Sequence, residues 1–559
     1  MTHLQPSFRH RLLEIAASAA RHETWLLSGA FGGAALLLLL ALVLPGETYS
    51  GSYANDLMIF LDGGHRVLSG QIPNRDFHTP LGALTVLLPA LGLWMGGFGG
   101  MMPWTTAAFT LIYLPFLIYV CRSRLPLIYA LAFGLYSLLL VIGPVNVGEQ
   151  VDFTSFAMFY NRWGYALLSL LFLLALPSRS ERHAAAADGV TATALLLLMF
   201  YLKVSYFLLG LVFLVALALL TRRRLWPILA IAGTAAAIAI IEIFWRGTGA
   251  YLADIGTAAE ASGALRGTLF TLSRIVLLNL MAVIVFLGII GIAAVRGVGW
   301  KILLLCLYMA GAGVLLVNQN AQVVGILTLI PAALVAMLTP GRSDAVLDSP
   351  WPRLSGAVMI AALVIPPAAV SLVTIGYFAV RSARAPTGSP YEARLSGVIA
   401  EEGAIDTFKV GPDVHRAAYR TGKPTLEMYN KIRNQRFRQV FSQPEFLRTI
   451  QDGVRLLRSD ARLSGGVFVF DMGNPFNALL GRQPPKGVDA WNHNGRTLTE
   501  TSYRPAQEMF ADVQVVMVPK MSSELSTRQV LEKVYGGYLQ SHFQQAAASD
   551  YWWAYRRRP

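Results

Sequence analysis

Between Tyr53 and Leu84 the chain reads YANDLMIFLDGGHRVLSGQIPNRDFHTPLGAL. Three aspartates (Asp56, Asp62, Asp76), two histidines (His65, His78) and two arginines (Arg66, Arg75) fall within that stretch. Carboxylates and imidazoles exchange protons near neutral pH when their surroundings shift them, and arginine grips anions with a planar fork. The stretch therefore has the residue types for acid–base chemistry on a negatively charged substrate. It does not have the spacing of a metal cage. The nine histidines are scattered, with no His-x-x-x-His or Glu-x-x-His pair on an expected helix. The YRTGKP run from Tyr419 lacks the upstream glycine spacing of a nucleotide loop, and no Ser-His-Asp hydrolase motif occurs.

The surroundings of this stretch are apolar. Of 559 residues, 55% are hydrophobic and only 14% charged, with a mean hydropathy of +0.50. A soluble domain carries roughly a quarter charged residues, so the composition predicts an integral membrane protein. The run from Trp25 to Leu44 is long enough to cross a ~30 Å hydrocarbon core at about 1.5 Å per residue. LVLPGE offers no small-residue cleavage site, so this run reads as a retained anchor. About eleven spans are expected: 25–44, 101–120, 125–143, 163–176, 190–202, 205–220, 225–244, 272–295, 300–317, 323–338 and 354–380. Leu81 to Met95 is shorter, lies between Pro80 and GGFGG, and suits an interfacial or re-entrant helix. Cys121 and Cys306 lie in or beside apolar runs, which argues against a disulfide framework.

The net charge of +14 is explained by topology rather than by nucleic acid. With the N-terminus inside, Arg122 and Arg124, Arg179 and Arg182, Arg222 to Arg224, Arg296 and Lys301, and Arg342 and Arg353 fall in cytoplasmic loops. Outside loops carry fewer cations. The chain then divides into a cytoplasmic N-terminus (1–24), a membrane domain (25–380, with its first external loop at 45–100) and an external soluble domain (381–559). In that last part GGVFVFDMGNP and DVQVVMVPK read as buried strands, PEFLRTIQDGVRLLR as an amphipathic helix, and the whole as an α/β domain with its own core.

In the first external loop, Ser50 or Ser52 is placed to cap a helix beginning near Tyr53, with Leu57, Phe60, Leu61, Gly64 and Leu68 along one side. Gly70 and Pro73 end it. His65 and Arg66 then fall on a solvated face. Asp56 in the first turn is either a helix-terminal carboxylate or a chemical base, and Asp76 either a turn residue or a participant.

A carboxylate next to a membrane span, a helix, and then P-x-x-D-F-x-T-P-L-G before another apolar helix resembles the C-type superfamily of membrane glycosyltransferases. These include the protein O-mannosyltransferases and the lipid A aminoarabinose transferases. The resemblance covers about the first 340 residues as topology, and as motif Asp56 and Gly70 to Gly82. It implies a polyprenyl-phosphate sugar donor, an envelope acceptor (glycan, lipid or protein) and a bacterial inner-membrane location. The superfamily's usual acidic pair here is Asn55-Asp56, which does not support a divalent metal. Transfer from a phosphate donor needs a base for the acceptor hydroxyl and cations for the leaving phosphate. Asp56 is the expected base. Lys203, costly between two apolar runs, is either a snorkelling lysine or the phosphate cation, and the superfamily often has a lysine at such a junction. Arg75 and His78 are further candidate donors to the head group. Asp76, Glu149, Asp152 and Arg266 are secondary candidates, and Asn318 to Gln322 is a polar turn.

In the tail, Asp471 ends a strand that opens into a Gly-Asn-Pro loop, and Trp491, Asn492 and His493 could meet a sugar or simply pack. Two other functions fit the composition. A lipid-linked-sugar flippase would need paired broken helices in two related halves, which the sequence does not suggest. A non-catalytic envelope scaffold would need only the tail.

Overall fold

A computed structural model describes residues 6–51, 53–151, 153–179, 184–221, 225–263, 269–320, 322, 324–343, 351–384, 392–395, 398–401 and 443–559. Ser52, Asp152, Arg182, Arg222 to Arg224, Arg266 and the 419–424 run lie outside the described residues.

Six described helices are long and apolar enough to cross a membrane: His22–Val43, Leu84–Arg124, Ala184–Leu202, Leu225–Trp245, Trp300–Gln319 and Leu354–Ala383. A seventh is added if Thr271–Leu278 and Leu280–Val295, bent by 80° at Asn279, count as one span. The other expected spans form shorter helices: Leu127–Ile142, Phe159–Leu173, Val204–Leu220 and Leu329–Leu338. At about 1.5 Å per residue these reach roughly 15–26 Å, less than the ~30 Å core. Their apolarity has a second source. Trp163, Tyr165, Leu168 and Phe172 are fully buried, so the Phe159–Leu173 helix is solvated by protein on every side. The outer helices instead expose Leu111, Ile128, Leu219, Ile243 and Met281, the apolar outward face that a bilayer covers. Leu84–Arg124 is interrupted at Gly97 (φ 61°, ψ −163°), inside GGFGG, so the expected interfacial helix and the next span run end to end.

The first-loop helix runs Ala54–Leu68. Its N-cap is Tyr53 in the left-handed region, with no side-chain cap hydrogen bond among the described residues. Ser50 instead belongs to a short strand, Thr48–Ser50, paired in parallel with Val398–Glu401. The helix is not half-solvated. Gly63 and Gly64 let it press on the following helix: a Cβ at Gly63 would meet Val86 Cγ1 at 2.5 Å, and one at Gly64 would meet Ala90 N at 3.1 Å. Its other side is covered by the tail. Arg66, expected on a solvated face, is 1% exposed because Asp62 pairs with it at 2.6 Å and the Pro485 carbonyl accepts from it at 2.7 Å.

The C-terminal unit has a four-stranded sheet ordered Val467–Val469, Val515–Pro519, Trp552–Arg557, Phe543–Ala548. The first pair is parallel and the others antiparallel. The two strands of the parallel pair are buried on both faces. Val467, Val469, Val515 and Met517 face the Gln443–Ser459 helix side with Leu447 and Trp552. Phe468, Val516 and Val518 face Phe510, Leu531 and Tyr535 on the Leu525–His542 side. The YWWAYRRRP run supplies the Trp552–Arg557 strand.

Candidate active site

The tail docks on the first loop through backbone as well as side chains. Residues Gln483–Trp491 lie alongside Gln71–Thr79. His78 N donates to Val488 O at 2.9 Å, Ala490 N to His78 O at 2.8 Å, and Gly487 N to Asp76 O at 2.7 Å. Gln71 Nε2 donates to Pro484 O at 2.7 Å, and Lys486 Nζ pairs with Asp76 Oδ1 at 3.1 Å. Nearer the helix start, Asn55 Nδ2 donates to Met472 Sδ at 3.4 Å. The helix start therefore meets the turn that follows the Val467–Val469 strand, the kind of strand end where α/β folds commonly place ligands.

A cavity of about 400 Å³ opens where the membrane helices, the loop and the tail meet. Lys203, Tyr160, Asn318 and Gln319 line it from the helical body, Pro80 from the loop, and Trp491 and Arg496 from the tail. Lys203 has extended backbone (φ −162°, ψ 118°) and separates the Ala184–Leu202 helix from Val204–Leu220. The junction is held by the TPLG turn. Gly82 N donates to Leu202 O at 3.1 Å, and a Cβ at Gly82 would lie 2.1 Å from Tyr201 O. Only glycine admits that approach, and the approach sets where Lys203 begins. Lys203 Nζ donates to Asn161 Oδ1 at 3.0 Å and to Asn320 Oδ1, and lies 5.1 Å from the centre of the Tyr160 ring. No carboxylate pairs with it among the described residues. Its charge is held by neutral oxygens and a ring face, leaving it available to an anion. Burial, and then the charge of Arg496, push its pKa down to about 7.

Asp56 is half-buried beside this cavity but is not one of its lining residues. Its carboxyl is raised to about 7, chiefly by burial, with the Arg496 charge opposing and the Glu524 charge adding. Arg496 and Tyr160, which do line the cavity, thus stand within electrostatic reach of Asp56. On its other side Tyr53 OH donates to Glu149 Oε1 at 3.0 Å. Glu149 and Asn146 line a second cavity, about 570 Å³ and mostly apolar, walled by Met281, Val285, Pro366 and Pro367.

The remaining expected residues are placed elsewhere. Arg75 Nη1 donates to Trp245 O at 3.3 Å in an exposed position. Asp76 accepts from Ile72 N at 2.9 Å and pairs with Lys486, and those bonds, outweighing burial, hold its carboxyl below the usual range. His78 Nδ1 lies 3.0 Å from Asp254 Oδ1, in a buried ionic cluster. There Asp254 also accepts from Arg504 at 2.6 Å, Asn74 at 2.9 Å and Thr79 N at 3.1 Å, while Arg504 pairs with Asp489 at 2.8 Å. That cluster clamps the tail to the body behind Pro80 and Trp491. Asp471 is buried and accepts from Met472 N, Ser522 and Ser523, so it serves the strand-end turn. Among the described residues no three His, Cys, Asp or Glu side chains group closely enough to hold a metal ion.

Sequence reasoning missed Tyr160, Asn161 and Arg496, and read Asn318 to Gln322 as a plain polar turn. The available cue was polarity at the ends of apolar helices, which is expensive unless satisfied or used. The chain matches no family profile and no curated protein. Among solved structures it is similar to the crystal structure of ArnT from Cupriavidus metallidurans in the apo state. That likeness covers 94% of this chain and 96% of the other, at 11% sequence identity and a TM-score of 0.37.

Proposed function

We propose that the chain is an inner-membrane glycosyltransferase that moves a sugar from a polyprenyl-phosphate carrier to a cell-envelope acceptor on the periplasmic face. The observation that carries this reading is the pairing of a carboxylate and a cation at one cavity beside the membrane helices. Lys203 projects into it without a carboxylate partner, and Asp56 stands next to its Tyr160–Arg496 wall.

In the proposed reaction the acceptor hydroxyl oxygen bonds to the sugar's anomeric carbon as the bond from that carbon to the phosphate oxygen breaks. The electron pair stays on the phosphate, and the hydroxyl proton passes to the Asp56 carboxylate. A base with a pKa near the working pH is well matched to that task. Lys203 offsets phosphate charge, and binding an anion restores the proton that burial weakens. Asn318 and Gln319 offer amides to sugar hydroxyls, and Trp491 a ring face.

The test is Asp56→Asn in the purified full chain, with a lipid-phosphate sugar donor and its acceptor in nanodiscs. Transfer should fall by about 10²–10⁴-fold, the range of general-base catalysis, while donor binding persists. Wild-type turnover by that variant would remove Asp56 from the chemistry.

A further inference from the structure

The roles above leave Arg496 without one. Its neighbours in the tail are committed: Arg482 donates to Leu463 O and Leu457 O, Arg504 pairs with Asp254 and Asp489, and Arg557 donates to Val513 O. The Arg496 guanidinium makes no hydrogen bond or ion pair among the described residues, yet it lines the same cavity as Lys203. Its loop is well fixed. Arg496 N donates to His493 O at 3.0 Å, Gly495 N to Leu498 O at 2.9 Å, Asn494 N to Thr527 Oγ1 at 3.0 Å, and Asn492 N to Met472 O at 3.0 Å. An unpaired cation on a rigid loop, facing a cavity that already holds one cation, is arranged for an anion with more than one charge.

We infer that Arg496 is a second phosphate-binding cation, supplied by the C-terminal unit, and that it acts on the charge that appears as the carrier phosphate leaves. This rests on the donor reading above. A sugar-linked carrier phosphate is a diester with one negative charge. When the bond from the anomeric carbon to oxygen breaks, the departing monoester gains a second. Lys203 offsets the first charge. The second needs another partner, and an arginine fork can take two oxygens of one phosphate. The soluble unit is then a working wall of the site rather than an appendage, held in place by the Asp254–Arg504–Asp489 clamp.

The test compares two probes on the full chain in nanodiscs at about pH 8, where a phosphomonoester is a dianion. One is a polyprenyl phosphate and the other its methyl diester, a monoanion. Arg496→Gln should weaken monoester binding by about tenfold or more, the loss of a charge-assisted pair. It should weaken the diester by less than about threefold, because Lys203 still holds the single charge. Arg496→Lys, which keeps the charge, should retain most of the monoester affinity. Unchanged monoester binding in Arg496→Gln, or an equal loss for both probes, would overturn the inference and leave the donor reading standing. A wild-type chain that binds neither probe would overturn both.

Discussion

At the scale of single residues the site is a matter of two displaced titrations. Burial lifts the Asp56 carboxyl to about 7 and lowers the Lys203 ammonium to about 7, and Arg496 opposes the first shift and adds to the second. Transfer requires Asp56 ionised, so kcat/KM should rise with pH through about 7. It also requires Lys203 protonated in the free enzyme, so kcat/KM should fall again through the same region. The profile should be a narrow bell centred near neutrality. In Lys203→Arg the guanidinium stays charged throughout, so the alkaline limb should disappear and the acid limb should remain; a profile identical to wild type would exclude Lys203 as the titrating cation. Lys203→Gln should weaken donor binding by about 10–100-fold, since hydrogen bonds to a charged group contribute roughly 1.5–3 kcal/mol. Equilibrium binding of a lipid-phosphate probe checks this.

At the scale of elements, the TPLG turn sets the register of the junction before Lys203. Gly82→Ala would place a methyl group 2.1 Å from Tyr201 O, against backbone rather than a movable side chain. The expected cost is about 1–3 kcal/mol of overpacking, read as a lower melting temperature together with reduced donor affinity as Lys203 shifts. An unaffected melting temperature would show that the contact yields. This turn was legible in the sequence, because proline, glycine and an adjacent polar run mark a junction whatever packs on it. The Ala54–Leu68 helix was legible as a helix, but its surroundings were not. Periodicity put Arg66 in solvent because its cover, the Pro485 carbonyl, comes from a segment far along the chain. Arg496 stayed hidden for the same reason: only the docked tail brings it to the cavity with Lys203. The exact number of spans was not legible for a different reason. Apolar helices packed wholly within protein look, in composition, like helices facing lipid, and Phe159–Leu173 is of the first kind.

At the scale of the whole molecule, a helical body and a sheet-containing tail share one cavity, with the first loop between them. Asp254 is the shared anchor: 4% exposed, it holds His78 and Asn74 of the loop and Arg504 of the tail. Asp254→Ala would leave Arg504 with Asp489 alone and the buried Thr79 N–H without its acceptor, and should cost about 1–3 kcal/mol. The loss should concentrate at the docking surface, so limited proteolysis should cut the tail from the body faster than in wild type. Unaltered proteolysis would mean that the Pro484–Lys486 contacts hold the units by themselves. The central claim is that the charged end of a lipid carrier enters the space between Lys203 and Arg496, beside Asp56. Cryo-electron microscopy of the Asp56→Asn chain with a polyprenyl phosphate in nanodiscs tests it most directly. The account predicts phosphate density within about 3 Å of both Lys203 Nζ and the Arg496 guanidinium, the length of a charge-assisted hydrogen bond. Phosphate density in the apolar cavity beside Asn146 and Glu149, with the space at Lys203 empty, would contradict it.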